Sequence, residues 1–209
     1  MRSRGILAAV ACALAGAVAC EGPSIPSKNG YRAILSFSKD DRYEIFVKGE
    51  KRRVEGVIDG SLLIKIARPD MKVVWQFRPS TKKLLASAWG PQDEIVPGYP
   101  LEPKFDPGAY ADRFGAAAGL KQTGDGIQGL HPCDRWIMEL PSGDRVTIYA
   151  ARDLERLVVR IEHEKKDGKD ELQPFTVTEL LDVRPGVRDA LFEKPSGYTQ
   201  VSSYEALSK

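Results

Sequence analysis

The sequence predicts a single, mainly β domain of about eleven antiparallel strands and one or two short helices, set behind a removable leader. Three observations predict it. Apolar residues alternate with polar ones at period two from Tyr31 to Val183. Tight-turn dipeptides and Pro/Gly clusters recur between these runs. The leader separates by itself, as an uncharged run behind two arginines.

Residues 1–19 contain Arg2 and Arg4, then the uncharged run Gly5–Ala19. Fifteen such residues fall short of the roughly 20 that a membrane-spanning helix needs. Basic leader, short apolar core and small residues before a break make a secretory signal. Ala17-Val18-Ala19-Cys20 has the form of a lipobox, in which a cysteine after small residues is acylated and becomes the new N-terminus. The Ala-Val-Ala triplet also satisfies the ordinary A-x-A cleavage rule. Residues 20–30 continue with Pro, Gly and Ser (EGPSIPSKNG), the composition of a flexible tether. A lipid on Cys20 would place the protein on the periplasmic side of a bacterial envelope. Glu21, rather than an aspartate, points to the outer membrane by analogy with enterobacterial sorting.

The tether leads into residues 31–200, with 201–209 left as a tail. Tyr31, Ala33, Leu35 and Phe37 share one strand face, and Tyr43, Ile45 and Val47 follow. A turn at Gly49-Glu50 and the hairpin dipeptide Asp59-Gly60 lead to Leu62, Ile64 and Ile66. Val73, Trp75 and Phe77 come after Pro69-Asp70, and Leu85, Ser87 and Trp89 after Pro79-Ser80-Thr81. Gly90–Phe105 is proline-rich and loop-like, with apolar Ile95, Val96, Tyr99 and Leu101. Asp106-Pro107 is a cap followed by a first-turn proline, and Tyr110, Phe114 and Ala118 fall on one helical face before Gly119. Strands resume at Trp136, Met138 and Leu140, turn at Pro141–Asp144, and continue through Val146–Ala150 and Leu157–Ile161. The charged run Glu162–Glu171 reads as a solvated hairpin tip around Asp167-Gly168 before the last strand, Phe175–Val183.

Composition excludes several classes. Hydrophobic residues at 42% and charged residues at 29% are those of an ordinary folded domain. Without Arg2 and Arg4 the chain carries 29 basic and 29 acidic residues, so it has no electrostatic reason to seek nucleic acid. Cys12 leaves with the signal and Cys20 takes lipid, so Cys133 stands alone; an unlipidated Cys20 could instead bridge to Cys133. His131, Cys133 and Asp134 are close in sequence but do not complete a zinc set, since the only other histidine, His163, lies in the charged hairpin. The chain has no G-x-S-x-G elbow and no Gly-rich phosphate loop. The reading is of a protein that is not an enzyme and takes no metal or cofactor.

Val47–Glu55 (VKGEKRRVE), Ala67–Pro79 (ARPDMKVVWQFRP), Gly129–Trp136 (GLHPCDRW) and Ala190–Tyr198 (ALFEKPSGY) resemble segments of the LolA-like group, in matching order. That group contains periplasmic carriers and receptors of lipoproteins and many envelope lipoproteins. The resemblance implies an unclosed antiparallel barrel, a half-barrel whose concave face is partly covered by helices and holds acyl chains. It implies a hydrophobic ligand or a lipoprotein acyl chain as partner. Trp75, Phe77, Trp89, Trp136 and Met138 are then the candidates to line the cavity, or else they are ordinary core. The alternative function is that of a structural or interaction lipoprotein, its half-barrel filled by its own side chains. Arg53, Glu55, Arg68 and Asp70 recur in the family-like segments and read as hairpin-end ion pairs.

Overall fold

Alternating β-formers need partners for every backbone amide and carbonyl, and short turns supply them from adjacent strands. The computed structural model describes residues 29–38, 41–90, 93, 99–114, 119–167 and 171–208. The signal, Cys20, most of the tether, Ile95, Val96, Ala118 and Gly168 lie outside the described residues.

Within them, the chain runs β1 (Tyr31–Ser36), β2 (Arg42–Lys48), β3 (Lys51–Ile58), β4 (Ser61–Arg68), β5 (Val73–Arg78) and β6 (Lys83–Ala88) as a continuous meander. Helix α1 (Pro107–Arg113) follows, then β7 (Lys121–Gln128), β8 (His131–Glu139), β9 (Arg145–Ala151), β10 (Leu157–Lys166), β11 (Leu172–Pro185), β12 (Thr199–Val201) and α2 (Tyr204–Ser208). All twelve strands form one sheet in the order β12-β6-β5-β4-β3-β2-β1-β11-β10-β9-β8-β7. Every pairing is antiparallel except β12 on β6, and β7 and β12 do not meet. The result is an unclosed antiparallel half-barrel.

Turn chemistry placed the β3–β4 hairpin correctly. Asp59 and Gly60 both have positive φ (53° and 72°), as the two-residue turn between β3 and β4 requires. Asp106 caps α1, its carboxylate accepting from the amides of Gly108 and Ala109 at 2.9 and 3.1 Å. Past β12, α2 packs on β5 and β6 and buries Leu207 completely.

Two apolar cores lie on opposite sides of the sheet. Residues directly opposite on paired strands point to the same face. Tyr31, Val47, Arg52, Ala67, Val74 and Ser87 therefore share the inner face, whereas Phe46, Arg53, Ile66, Trp75 and Ala86 share the outer one. The segment from β6 to β7 crosses the inner face and buries Tyr99, Leu101, Phe105 and Tyr110 against β1, β2 and β8 to β11. The outer face of β2 to β6 is covered by the C-terminal segment, through Val187, Leu191, Phe192 and Tyr198.

Candidate functional site: the inner face

The crossing segment is pinned by two buried tyrosines. Tyr31 donates its hydroxyl to the Leu101 carbonyl at 2.7 Å, and Tyr99 donates to the Val158 carbonyl at 2.8 Å. Burial pushes both hydroxyls above their ordinary pKa, so they act as neutral donors. The backbone of Lys104 and Phe105 also pairs with the carbonyls of Glu155 and Arg156. This half of the inner face is filled by the protein itself.

Among the described residues, the other half holds two hollows. A hollow of about 430 Å³ lies over Arg52 and Ala67, bordered by Trp89, Asp93, Glu102 and Arg113. Its volume falls in the range of small-molecule sites, but its rim is charged, and Arg52 pairs with Glu102. A second hollow, of about 260 Å³, lies over Val54, Gly56, Ile58, Leu63 and Lys65, closed at the side by Leu35, Phe37 and Tyr43. The two abut, because Val54 and Lys65 sit two residues from Arg52 and Ala67 on the same face of β3 and β4. The Phe37 and Tyr43 rings meet edge to face, 6.0 Å between centroids, at the rim of the apolar hollow. Gly56 leaves that room: a Cβ there would stand 2.3 Å from the Tyr43 ring.

The five apolar candidates disperse. Trp89 borders the larger hollow. Trp136 faces inward but lies half-buried under the Arg156 guanidinium, 5.7 Å from the ring centroid. Met138 is fully buried in the inner core. Trp75 and Phe77 lie on the outer face, sealed by Phe192 and Tyr198, with the Phe77 and Tyr198 rings 5.1 Å apart. Sequence alternation put these residues on strands, but only the C-terminal cover determines which side of the sheet they occupy.

The polar cluster of β8 is also resolved. His131 Nδ1 lies 2.9 Å from the Asp153 carboxylate. The Cys133 thiol donates to the His131 carbonyl rather than to its ring. Burial pushes that thiol up to about 11, the opposite of an activated nucleophile. His163 is level with Met138, seven residues along β8 from His131, or about 23 Å at strand rise. Among the described residues, no three His, Cys, Asp or Glu side chains gather as a metal set.

Sequence reasoning missed what the arginines do. Arg53–Glu55 and Arg68–Asp70 do pair, at 2.6 and 2.8 Å, yet each arginine also holds the C-terminal segment. Arg53 donates to the Leu191 carbonyl at 2.9 Å and Arg68 to the Phe192 carbonyl at 3.1 Å. Lys48 and Lys51 grip Asp189 beside them, at 2.7 and 2.9 Å. The shared placement of three family-like segments, around Arg53, Arg68 and Phe192, was the available signal.

An unclosed antiparallel sheet with a helix-bearing segment across its inner face is the arrangement that the LolA-like resemblance implied. Comparison with known structures finds likenesses at low sequence identity. An uncharacterized conserved protein from Thermus thermophilus superimposes with a TM-score of 0.51 at 13% identity, covering 84% of this chain and 91% of that one. LprF from Mycobacterium bovis matches with a TM-score of 0.40 at 11% identity, covering 83% and 92%. A LolA superfamily protein from Nitrosomonas europaea matches with a TM-score of 0.31 at 10% identity, covering 82% and 92%. No family model matches the sequence, and no curated protein matches it. These likenesses concern the fold.

Proposed function

We propose that this protein is a lipid-anchored component of the bacterial envelope that holds a hydrophobic ligand, such as a lipoprotein acyl chain, on its inner face. The observation that carries the reading is the half-filled inner face. Among the described residues, the crossing segment covers β1, β2 and β8 to β11, and two adjoining hollows lie over β3 and β4. Hydrocarbon leaving water there gains about 0.8 kcal/mol per methylene, before the cost of association. Of the five candidates read from the sequence, Trp89 borders one of the hollows, whereas Trp75 and Phe77 serve the outer core. The leader and AVAC sequence supply the route to the envelope and the anchor at Cys20. No helix among the described residues is long and apolar enough to cross a membrane.

One observation favours the second reading, an interaction lipoprotein without ligand: Tyr99, Leu101, Phe105 and Tyr110 already fill the other half of the inner face. Mass spectrometry separates the two. The full chain, expressed in a bacterial host and purified, should carry an acylated Cys20 as its N-terminus and release a stoichiometric, non-covalent lipid on extraction. An unacylated Cys20 would remove the anchor. Absence of extractable lipid, together with no binding of a fluorescent fatty acid, would leave the interaction reading.

A further inference from the structure

We infer that the ligand of the inner face is an amphiphile with an anionic head, carboxylate or phosphate, and that Lys65 is the residue that selects it. The inference rests on the ligand-binding reading above and deepens it. Among the described residues, Lys65 is the one charged side chain bordering the apolar hollow, whose floor and walls include Leu35, Val54, Ile58 and Leu63. It stands in register between Val54 and Gln76, so the strands beside it offer no carboxylate at its level. Its partner is Asp93, which borders the neighbouring polar hollow.

That pair is loose. The Lys65 Nζ to Asp93 Oδ1 distance is 3.5 Å, whereas charge-assisted contacts settle at about 2.7–2.9 Å. Asp93 has its own reason to be where it is, since its other oxygen accepts from the Gly90 amide at 3.0 Å. Lys65 keeps 24% of its side chain exposed, and Asp93 15% of its own, so the cation is reachable from the hollows. An ammonium at the junction of an apolar and a polar hollow matches the two ends of a single-chain amphiphile. The hydrocarbon lies over Val54 and Leu63, and the head group meets Lys65 in competition with Asp93. A neutral head would leave the Lys65–Asp93 pair intact and gain only the hydrocarbon contact.

The test is calorimetric titration of the full-length protein, stripped of lipid, with three ligands sharing one tail: dodecanoate, dodecyl phosphate and methyl dodecanoate. Both anions should bind about tenfold or more tightly than the ester, the scale of one charge-assisted hydrogen bond. The stronger of the two identifies the head as carboxylate or phosphate. Lys65→Met keeps the apolar stem and should bring the anions down to the affinity of the ester, which itself changes little. Lys65→Arg should preserve the preference, and Asp93→Asn should strengthen anion binding by removing the competitor. Raising salt should narrow the gap between anion and ester. Equal binding of acid and ester to the wild type, or a preference that survives Lys65→Met, would overturn the role of Lys65 while leaving a ligand site in place. If none of the three ligands binds, the site itself falls, and this inference with it.

Discussion

Truncating Phe192 should cost this protein more than truncating any exposed apolar residue, because it seals a second core on the outer face. Phe192 is fully buried, against Phe46, Ile66, Trp75 and Phe77. Phe→Ala in a packed core costs about 3–5 kcal/mol, the lost transfer energy plus the cavity left behind. The site cannot easily collapse, since the segment carrying Phe192 is fixed by Arg53, Arg68 and the Lys48–Asp189–Lys51 cluster. For a domain of this size each kcal/mol shifts the melting temperature by about 2–4 °C, so the expected drop is roughly 6–20 °C. Urea melts followed by tryptophan fluorescence are suited to the test, because Trp75 sits in the same cluster. Leu130→Ala is the control: at 94% exposure it should move stability by less than about 0.5 kcal/mol. A Phe192→Ala cost below about 1 kcal/mol would show that the C-terminal segment contributes little to the outer core, and the reasoning would fail. A melt that splits in two would show instead that the segment detaches as its own unit.

Three further outcomes follow from the geometry. Trp75→Ala should lose about 3–5 kcal/mol in the same melts without changing dodecanoate affinity, whereas Trp89→Ala, at the rim of the larger hollow, should cost clearly less and alter that affinity. Gly56→Ala should cost about 1–3 kcal/mol by overpacking against Tyr43 and should weaken ligand binding by narrowing the apolar hollow, readable in one melt and one titration. Burial lowers the pKa of His163, so the unfolded chain takes up a proton on this residue before the folded one does. Its contribution to stability is therefore complete above about 6.5 and is lost as pH falls below that value; His163→Gln should flatten the melting-temperature profile between pH 7.5 and 5.5.

Most strands were legible because half-buried antiparallel strands write their pairing into alternation. β7 was not: Lys121–Gln128 (KQTGDGIQ) is an edge strand exposed on both sides, so no apolar residue marks its period. β12 was missed for its three residues and its parallel pairing to β6, a contact across more than a hundred residues. β5 was found but its faces were not distinguishable, since Val74 and Trp75 are both buried, one on each side. The arginines were half legible. An ion pair to Glu55 or Asp70 has a sequence signature, but a hydrogen bond to the carbonyl of Leu191 or Phe192 has none. The hollows could not be read at all, because their walls come from residues far apart in sequence, Arg52 and Ala67 facing Asp93, Glu102 and Arg113 in one and Leu35 facing Leu63 in the other.

The C-terminal cover also bears on the order in which a new molecule becomes complete. Translation delivers β1 to β6 first, with Ile66, Trp75 and Phe77 on a face that the described residues before them do not cover. β1 waits for β11, since Tyr31 pairs with Pro185, and the outer core waits longer still, for residues 187–198. A nascent chain is therefore a sticky meander until residues 187–198 emerge, with little reward for early folding. Clipping the finished protein before Val187 would return it to that condition, with an apolar sheet face open to its neighbours. Residues 187–208 thus work as a seal, by which only a copy that carries them becomes quiet toward others.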